Sequence, residues 1–461
     1  MSFIVRECFI PHIPQVYIDE FLWFVAGRSL SETHRLVWDV RFGSIQNPLY
    51  EWLIPRPAGY PFLESLIFKV FGASLDVVFQ MNIFLASLTT IFIFGMAYIL
   101  FQSAYVAFFS ALIFSFLPAH LRFSACGNPD VAALLFLTMG VFFFLLYLKR
   151  KRIVSMYAAI TALAFLVHVK PEYGVACIYF SVVAASLFKS GFFSKADLST
   201  FILYLILLLL PLIGIIPAMV CLENEHAGHL FLSASALIRN TQENIKAFST
   251  PWGFLFILGA IRLFIKDRLK WMALLGAFMV GFFLVQCYFE GARERYSLFY
   301  SVPLALIAGY GFSVLKSAGR VIGKVLTAFF CLSLLWTSFS ITHETFERIL
   351  QRDSYQEYIF IKKNLPRMPH DAYIVSINGE ILLALGENDR KVVRLGEGVL
   401  NHVVPRVDTM VLYLGLPWHN QELWVLQDRN ALRKTYKFIT MVEKDIDGKK
   451  VGFYFLVKKK G

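Results

Sequence analysis

"DVAALLFLTMGVFFFLLYLKRKR", residues 130–152, opens on an acid, runs through an almost unbroken apolar stretch and closes on four basic side chains within five residues. An apolar run of about 20 residues is the length of a helix that crosses a bilayer. Basic residues gathered at one end mark that end as cytoplasmic, so Asp130 sits at the outer end. Working outward from this segment, further apolar runs occupy roughly 77–101, 104–121, 153–169, 173–188, 199–221, 252–266, 270–288, 296–315 and 320–341. With the first, they make about ten expected spans.

The loops between them alternate in character. "LKRKR" (148–152), "KSGFFSK" (189–195), "KDRLK" (266–270) and "KSAGRVIGK" (316–324) fall on one side and are basic. "HLRFSACGNPD" (120–130), "HVKPEY" (168–173) and "YFEGARERY" (288–296) fall on the other and mix carboxylates, histidines and aromatics with basic residues. The fold class that follows is a polytopic α-helical membrane protein whose chemically interesting loops share the extracytoplasmic face of the cell membrane.

Composition agrees, since 57% of the 461 residues are hydrophobic, only 16% are charged and 47 are phenylalanine. A surface so poor in charge is not that of a soluble globule. The formal net charge of +12 is carried in short interhelical clusters. A nucleic-acid binder would instead show basic runs interleaved with exposed aromatics, so no nucleic-acid partner is expected. The six cysteines are scattered, without the paired spacing of a zinc site or a compact disulfide framework.

Three regions follow: 1–76, a first extracytoplasmic loop with helices hugging the membrane; 77–341, the transmembrane helical domain; and 342–461, a small α/β extracytoplasmic domain. In the last, "DAYIVSI", "DTMVLYLG" and "VGFYFLV" predict strands, while "SYQEYIFIKKNL" and "NQELWVLQDRNALRK" predict amphipathic helices. The glycines of "LGENDRKVVRLGEG" lack the spacing of a phosphate loop. In "YPFLESLIFKVFG" (60–72), Glu64 and Lys69 predict an interfacial helix in preference to a crossing one.

A few polar residues stand out on the outer face. Asp19 and Glu20 precede the aromatic run Phe21, Trp23, Phe24. On composition alone they read first as the solvated start of an amphipathic helix whose Phe21, Trp23, Phe24 and Val25 face lipid. Asn128, Pro129 and Asp130 are what a helix N-terminus selects for capping, so Asp130 has a structural reading too. Arg56, between two prolines, is placed to bind a phosphate by paired hydrogen bonds or to anchor on phospholipid headgroups. His168 and Lys170 end one span, and Arg293, Glu294, Arg295 and Tyr296 open another. His226 and His229 with Glu223 and Glu225 have a spacing open to a metal or to a plain polar loop.

Three stretches in this order resemble the GT-C superfamily of polyprenyl-phosphate-sugar glycosyltransferases. "IDEFLWFVAGRSL" resembles the acidic first-loop motif, "PRPAGYPFLESLIFKVFG" the next membrane-hugging element of the bacterial branch, and "CGNPDVAALLFL" the second outer loop; "ERYSLFYSVPLALIAGYG" resembles the late arginine-tyrosine span. Within the superfamily the nearest comparisons are the transferase that moves aminoarabinose onto lipid A, the protein O-mannosyltransferases and the RgtA/B/C/D-like group. The resemblance implies a membrane glycosyltransferase that takes sugar from a polyprenyl-phosphate donor and gives it to a lipid, glycan or protein acceptor. It implies Asp19 as catalytic acid with Glu20 as its neighbour, Asp130 as the second-loop acid and Arg56 as donor-phosphate ligand; Arg293 and Arg295 are expected as helpers to Arg56, and Tyr60, His168, Lys170 and Tyr296 as further cavity residues. In the aminoarabinose transferase an acid implicated in metal binding precedes the basic position. Pro55 stands there in this chain, which leaves a divalent metal without its expected ligand. The superfamily also implies an apolar helix ahead of the acidic motif. A secondary transporter and a non-catalytic membrane scaffold presenting 342–461 are the rival readings of the same spans.

Overall fold

The computed structural model describes residues 2–15, 17–34, 58–170, 206, 250–288, 298–369, 372–376, 379–385, 392–394, 408–416, 432 and 434–459. They form two compact units, each discontinuous in sequence.

The first unit comprises Met1–Ile13, Pro55–Tyr60 and Val78–Glu344. In chain order the described helices up to Leu350 are α1 (Ser2–Phe9), α2 (Tyr17–Thr33), α3 (Gly59–Phe71), α4 (Leu75–Phe101), α5 (Ala104–Phe116), α6 (Pro118–Phe123), α7 (Asp130–Arg150), α8 (Ile153–Val169), α9 (Pro251–Lys266), α10 (Arg268–Tyr288), α11 (Leu298–Ser317) and α12 (Arg320–Leu350); all belong to this unit except α2, α3 from Pro61, α4 up to Val77 and α12 from Thr345, which belong to the second. Among the described residues α4, α7 and α12 are long and apolar enough to cross a membrane, and α5 and α8 are shorter apolar helices. The expected spans at 173–188 and 199–221 lie outside the described residues, apart from Ile206.

Two expected boundaries change. The run 104–121 is not one helix: Leu117 is extended (ψ 126°) ahead of Pro118, which starts the short α6. A proline disfavours the helical conformation of the residue before it, and its ring cannot sit inside a continuing helix. α12 runs to Leu350 instead of stopping near 341.

Small residues bring the helices close. A Cβ on Gly259 of α9 would stand 1.9 Å from the Ile307 carbonyl oxygen of α11, and one on Gly309 would stand 2.0 Å from Ser110 Oγ of α5. Such close backbone approach is how helices associate where lipid removes the hydrophobic drive between them. Phe109 and Phe312 stack at 4.0 Å across the α5–α11 contact.

The second unit comprises Pro14–Ile54, Pro61–Val77 and Thr345–Gly461. It adds α13 (Asp353–Asn364), β1 (Tyr373–Ser376), α14 (Gly379–Leu385), β2 (Val392–Arg394), β3 (Thr409–Leu414), β4 (Tyr436–Ile446) and β5 (Lys449–Lys458). The sheet order is β2-β1-β3-β5-β4, parallel among the first three and antiparallel from β3 onward. Residues Asp447 and Gly448 turn β4 into β5 with positive φ (51° and 75°), the conformation a two-residue hairpin turn demands. α13 docks through Glu357, fully buried, which accepts hydrogen bonds from Tyr413 Oη at 2.8 Å and Leu416 N at 3.0 Å. The predicted strands "DAYIVSI", "DTMVLYLG" and "VGFYFLV" coincide with β1, β3 and β5, and "SYQEYIFIKKNL" with α13. Nearly all of "NQELWVLQDRNALRK" lies outside the described residues.

Candidate functional site

Two polar clusters, one in each unit, contain the placed site residues. The first is built on the loop that precedes α7. Asn82, a fully buried amide two turns into the apolar α4, donates through Nδ2 to Tyr60 Oη at 2.9 Å, to the Asn128 carbonyl at 3.1 Å and to the Cys126 carbonyl. Two loop carbonyls are thereby tied to one spanning helix. A buried carbonyl with no donor is costly, so this amide fixes the loop's path. Asn128 Oδ1 then accepts from Asp130 N at 3.2 Å, the local bond that stops the loop and starts α7.

Asp130 is fully buried and pairs with Lys170, the residue that caps α8. Lys170 arrives there because α8 ends against the first residue of α3. A Cβ on Gly59 would meet the His168 carbonyl carbon and oxygen at 2.6 Å and Val169 N at 2.7 Å, so only glycine permits the contact. Thus Tyr60, Asp130, His168 and Lys170, proposed from sequence, come together within the first unit. Among the described residues, Asn82 Oδ1, Asn128 Nδ2 and Asp130 Oδ2 are buried without hydrogen-bond partners. An acceptor, a donor and a carboxylate oxygen are left unsatisfied in one cluster, the pattern a hydroxyl-bearing ligand would complete.

The second cluster is the acidic start of α2. Glu20 is 1% exposed and its Oε1 accepts from Gln15 N at 2.6 Å, while Asp19 is half-buried beside it. The lipid-facing reading of this helix is overturned: Phe21, Trp23, Phe24 and Val25 are all buried within the unit. Phe21 stacks on Tyr358 of α13 at 6.0 Å, and Phe24 meets Phe68 of α3 edge-on at 5.3 Å. Protein, not lipid, covers the aromatic face, so the acids sit on an anchored helix. Burial, with lesser contributions from Tyr355, Asp76 and Glu20, pushes the Tyr358 hydroxyl up.

Sequence reasoning missed Glu64 as a buried group. It is fully buried, neither carboxylate oxygen has a hydrogen-bond partner among the described residues, and a Cβ on Gly27 of α2 would stand 2.5 Å from Oε2. Burial raises its pKa well above the ordinary 4.5. It missed Asn82 as well, though an amide inside an apolar run was a usable signal. Pro55, Arg56, Arg293, Arg295, Tyr296 and the 223–229 acids and histidines lie outside the described residues. Among the described residues no three His, Cys, Asp or Glu side chains form a metal-binding group.

A unit of apolar helices with a pinned interhelical loop, and a second unit built on a small mixed sheet, define the class: a polytopic membrane protein that also contains an α/β unit. Comparison with known proteins narrows it. A family model described as dolichyl-phosphate-mannose-protein mannosyltransferase matches residues 55–220. The chain is similar in structure to ArnT from Cupriavidus metallidurans bound to undecaprenyl phosphate, with a TM-score of 0.67 and 10% identity over 99% of this chain and 95% of that one. It is similar to the archaeal oligosaccharyltransferase AglB from Archaeoglobus fulgidus in complex with an inhibitory peptide and a dolichol-phosphate (TM-score 0.58, 10% identity, 98% of this chain and 73% of that one). It is also similar to the arabinofuranosyltransferase AftD from Mycobacteria (TM-score 0.58, 12% identity, 100% of this chain and 39% of that one). No curated protein matches the chain by sequence. At these identities the likeness is one of fold. Together with the family match it supports a GT-C superfamily member.

Proposed function

We propose that the chain is an integral membrane glycosyltransferase that moves a sugar from a polyprenyl-phosphate-linked donor to an acceptor hydroxyl on the extracytoplasmic face. The observation that carries this reading is the fold shared along 99% of the chain with a protein whose structure holds undecaprenyl phosphate. A donor anchored by its polyprenol tail needs no nucleotide-binding domain, which agrees with the lack of a phosphate loop in the sequence.

In the reaction the acceptor oxygen attacks the anomeric carbon, and the carbon–oxygen bond to phosphate breaks with its electron pair on the phosphate. The acceptor proton passes to a carboxylate, which we assign to Asp19. Glu20, held by Gln15 N, orients that helix start. Arg56, with Arg293 and Arg295, stabilises the departing phosphate. One displacement with a single base inverts the anomeric centre. Asp130, fixed by Lys170, and the unsatisfied amides beside it hold hydroxyls of the sugar or the acceptor.

Mass spectrometry of glycolipids and surface polymers from cells with and without the protein tests the reading. A sugar modification lost with the protein, and restored by the purified chain in detergent with no sealed compartment, is expected. Unchanged glycans in every fraction would refute it.

A further inference from the structure

At one end of the first unit, the turns α4–α5, α7–α8 and α11–α12 come together. α11 packs antiparallel on α5: passing toward the C-terminus of α11, Gly309 faces Ser110, Phe312 stacks on Phe109 at 4.0 Å, and Lys316 places its Nζ 5.0 Å from the centre of the Tyr105 ring. The end of α11 therefore lies over the start of α5. Tyr105 Oη is 3.0 Å from Thr327 Oγ1, which brings α12 to the same place. At the end of α7, Lys149 Nζ donates to Gln102 Oε1 at 3.0 Å, in the turn just before α5. Two lysines from different helices are thus held against the one α4–α5 turn.

Charge on this face has one sign. Lys149, Arg150, Lys151 and Arg152 are consecutive and exposed, and Lys316 and Arg320, exposed as well, flank the α11–α12 turn. The segments that build the face, 98–108, 147–157 and 313–329, contain no aspartate or glutamate. Like charges gathered without a carboxylate in their own turns repel one another and attract an external anion. The kind of anion follows from what borders the cations. Ile153 and Val154 follow Arg152 directly and are 39% and 73% exposed, and Val321 and Ile322 follow Arg320 and are 73% and 61% exposed. A nucleic acid or an acidic protein segment would meet the cations and leave these apolar side chains in water. A phospholipid offers an anionic headgroup to the first and acyl chains to the second.

We propose that this face is a docking surface for the anionic phospholipid headgroups of the leaflet it adjoins, with Lys149 and Lys316 at its centre. An ammonium has three donors, so the bond to Gln102 leaves Lys149 able to reach a phosphate. The four basic residues at 149–152 and Arg320 widen the positive field around them, and the exposed apolar residues beside them fix the depth at which the headgroups meet the protein. None of these residues belongs to the clusters around Asp130 or Asp19. The inference is independent of the proposed transfer reaction.

The test is native mass spectrometry of the full chain in detergent, equilibrated with equal amounts of dioleoylphosphatidylglycerol and dioleoylphosphatidylcholine, which share acyl chains and differ in headgroup charge. Preferential retention of the phosphatidylglycerol is expected, weakening as sodium chloride rises from about 0.05 to 0.5 M. The double variant Lys149→Gln/Lys316→Gln is expected to lose about tenfold or more of that preference, because each basic group near an anionic membrane contributes about fivefold. Lys437→Gln/Lys449→Gln removes the same charge from β4 and β5, and should leave the preference unchanged. Equal retention of the two lipids would overturn the proposal. So would an equal fall in both double variants, which would assign the preference to net charge alone. Tighter retention of a polyglutamate peptide than of phosphatidylglycerol would overturn it as well and give the face to an acidic protein segment. Should Lys149→Gln/Lys316→Gln fail to fold, Arg150→Gln/Arg320→Gln takes its place with the same expected loss.

Discussion

Asp130 and Lys170 face each other as an ion pair sheltered from water, with side-chain exposures of 0% and 7%. Forty residues and two helices separate them in sequence, and α7 and α8 pack as an antiparallel hairpin. The pair thus closes the end of that hairpin that meets Gly59 of α3. Taking two charges out of water is expensive, and their attraction offsets that expense only while both are present. Lys170→Met is therefore expected to destabilise the protein by about 3–5 kcal/mol, and Asp130→Asn comparably. The double variant should lose much less than the sum. Thermal unfolding in detergent of the four proteins checks this, and strict additivity would mean that the two side chains do not interact.

Asn82 carries the loop before α7 through one amide nitrogen. Asn82→Leu, of similar volume, strands two loop carbonyls at once and is expected to cost about 2–4 kcal/mol, whereas Tyr60→Phe removes a single neutral bond at about 1 kcal/mol. The same unfolding assay separates them. A Tyr60→Phe effect as large as that of Asn82→Leu would mean that the tyrosine, not the backbone, is what the amide serves.

Gly59→Ala tests whether the meeting of α3 with α8 positions Lys170. The added methyl group would meet backbone atoms at 2.6–2.7 Å, and backbone cannot swing aside as a flexible side chain can. A loss of about 2 kcal/mol or more is expected, the scale of overpacking a filled interior. It should come with increased labelling of Lys170 by an amine-acylating reagent, read by peptide mass spectrometry. Lost stability with unchanged labelling would separate the glycine from the ion pair.

Glu64 gives a pH dependence whose sign follows from burial. Its pKa in the folded protein lies above the ordinary 4.5, because burial disfavours the charged form. As pH rises from 4.5 toward the folded value, the unfolded chain gives up this proton while the folded chain keeps it, so Glu64 progressively lowers stability. Glu64→Gln is neutral in both states. It should raise the unfolding temperature by a few degrees at pH 7 to 8, with the gain shrinking to nothing as the pH approaches 4.5. A gain constant across that range would mean that the carboxyl is not titrating differently in the two states.

Much of this architecture was legible because lipid demands long apolar runs, and α4, α7 and α12 announce themselves by length and hydropathy. β1, β3 and β5 were legible for a related reason, since central strands are apolar on both faces. β4 was not: "YKFITMVEKDI" is an edge strand, mostly exposed or half-exposed, and its charges disguise the alternation. The covering of α2 was equally invisible. An aromatic face presents the same pattern to lipid as to Tyr358 and Phe68, and sequence periodicity does not distinguish the two. Asp130 and Lys170 were each suspicious as ionisable groups at span ends, but their pairing needed the approach of Gly59 to α8, a contact between distant segments.

Asp19 and Glu20 are adjacent yet differently held, and that difference predicts different losses. Glu20 is 1% exposed and its carboxylate is bonded to the Gln15 amide, whereas Asp19 is half-buried on the same first turn. A proton acceptor in a transfer reaction must be reachable by the acceptor hydroxyl, which favours the half-buried Asp19 over the buried Glu20. Asp19→Asn keeps the shape of the side chain and removes its basicity. It is expected to lower transfer about 10²–10⁴-fold, with the unfolding temperature changed little. Glu20→Ala removes the buried carboxylate that accepts from Gln15 N and is expected to lower stability by about 1–3 kcal/mol, with transfer falling in consequence. Product yield by mass spectrometry, measured beside thermal unfolding for both variants, separates the roles. If Asp19→Asn turns over at the wild-type rate while Glu20→Gln, with its fold intact, does not, the base is Glu20 and the assignment made here is reversed.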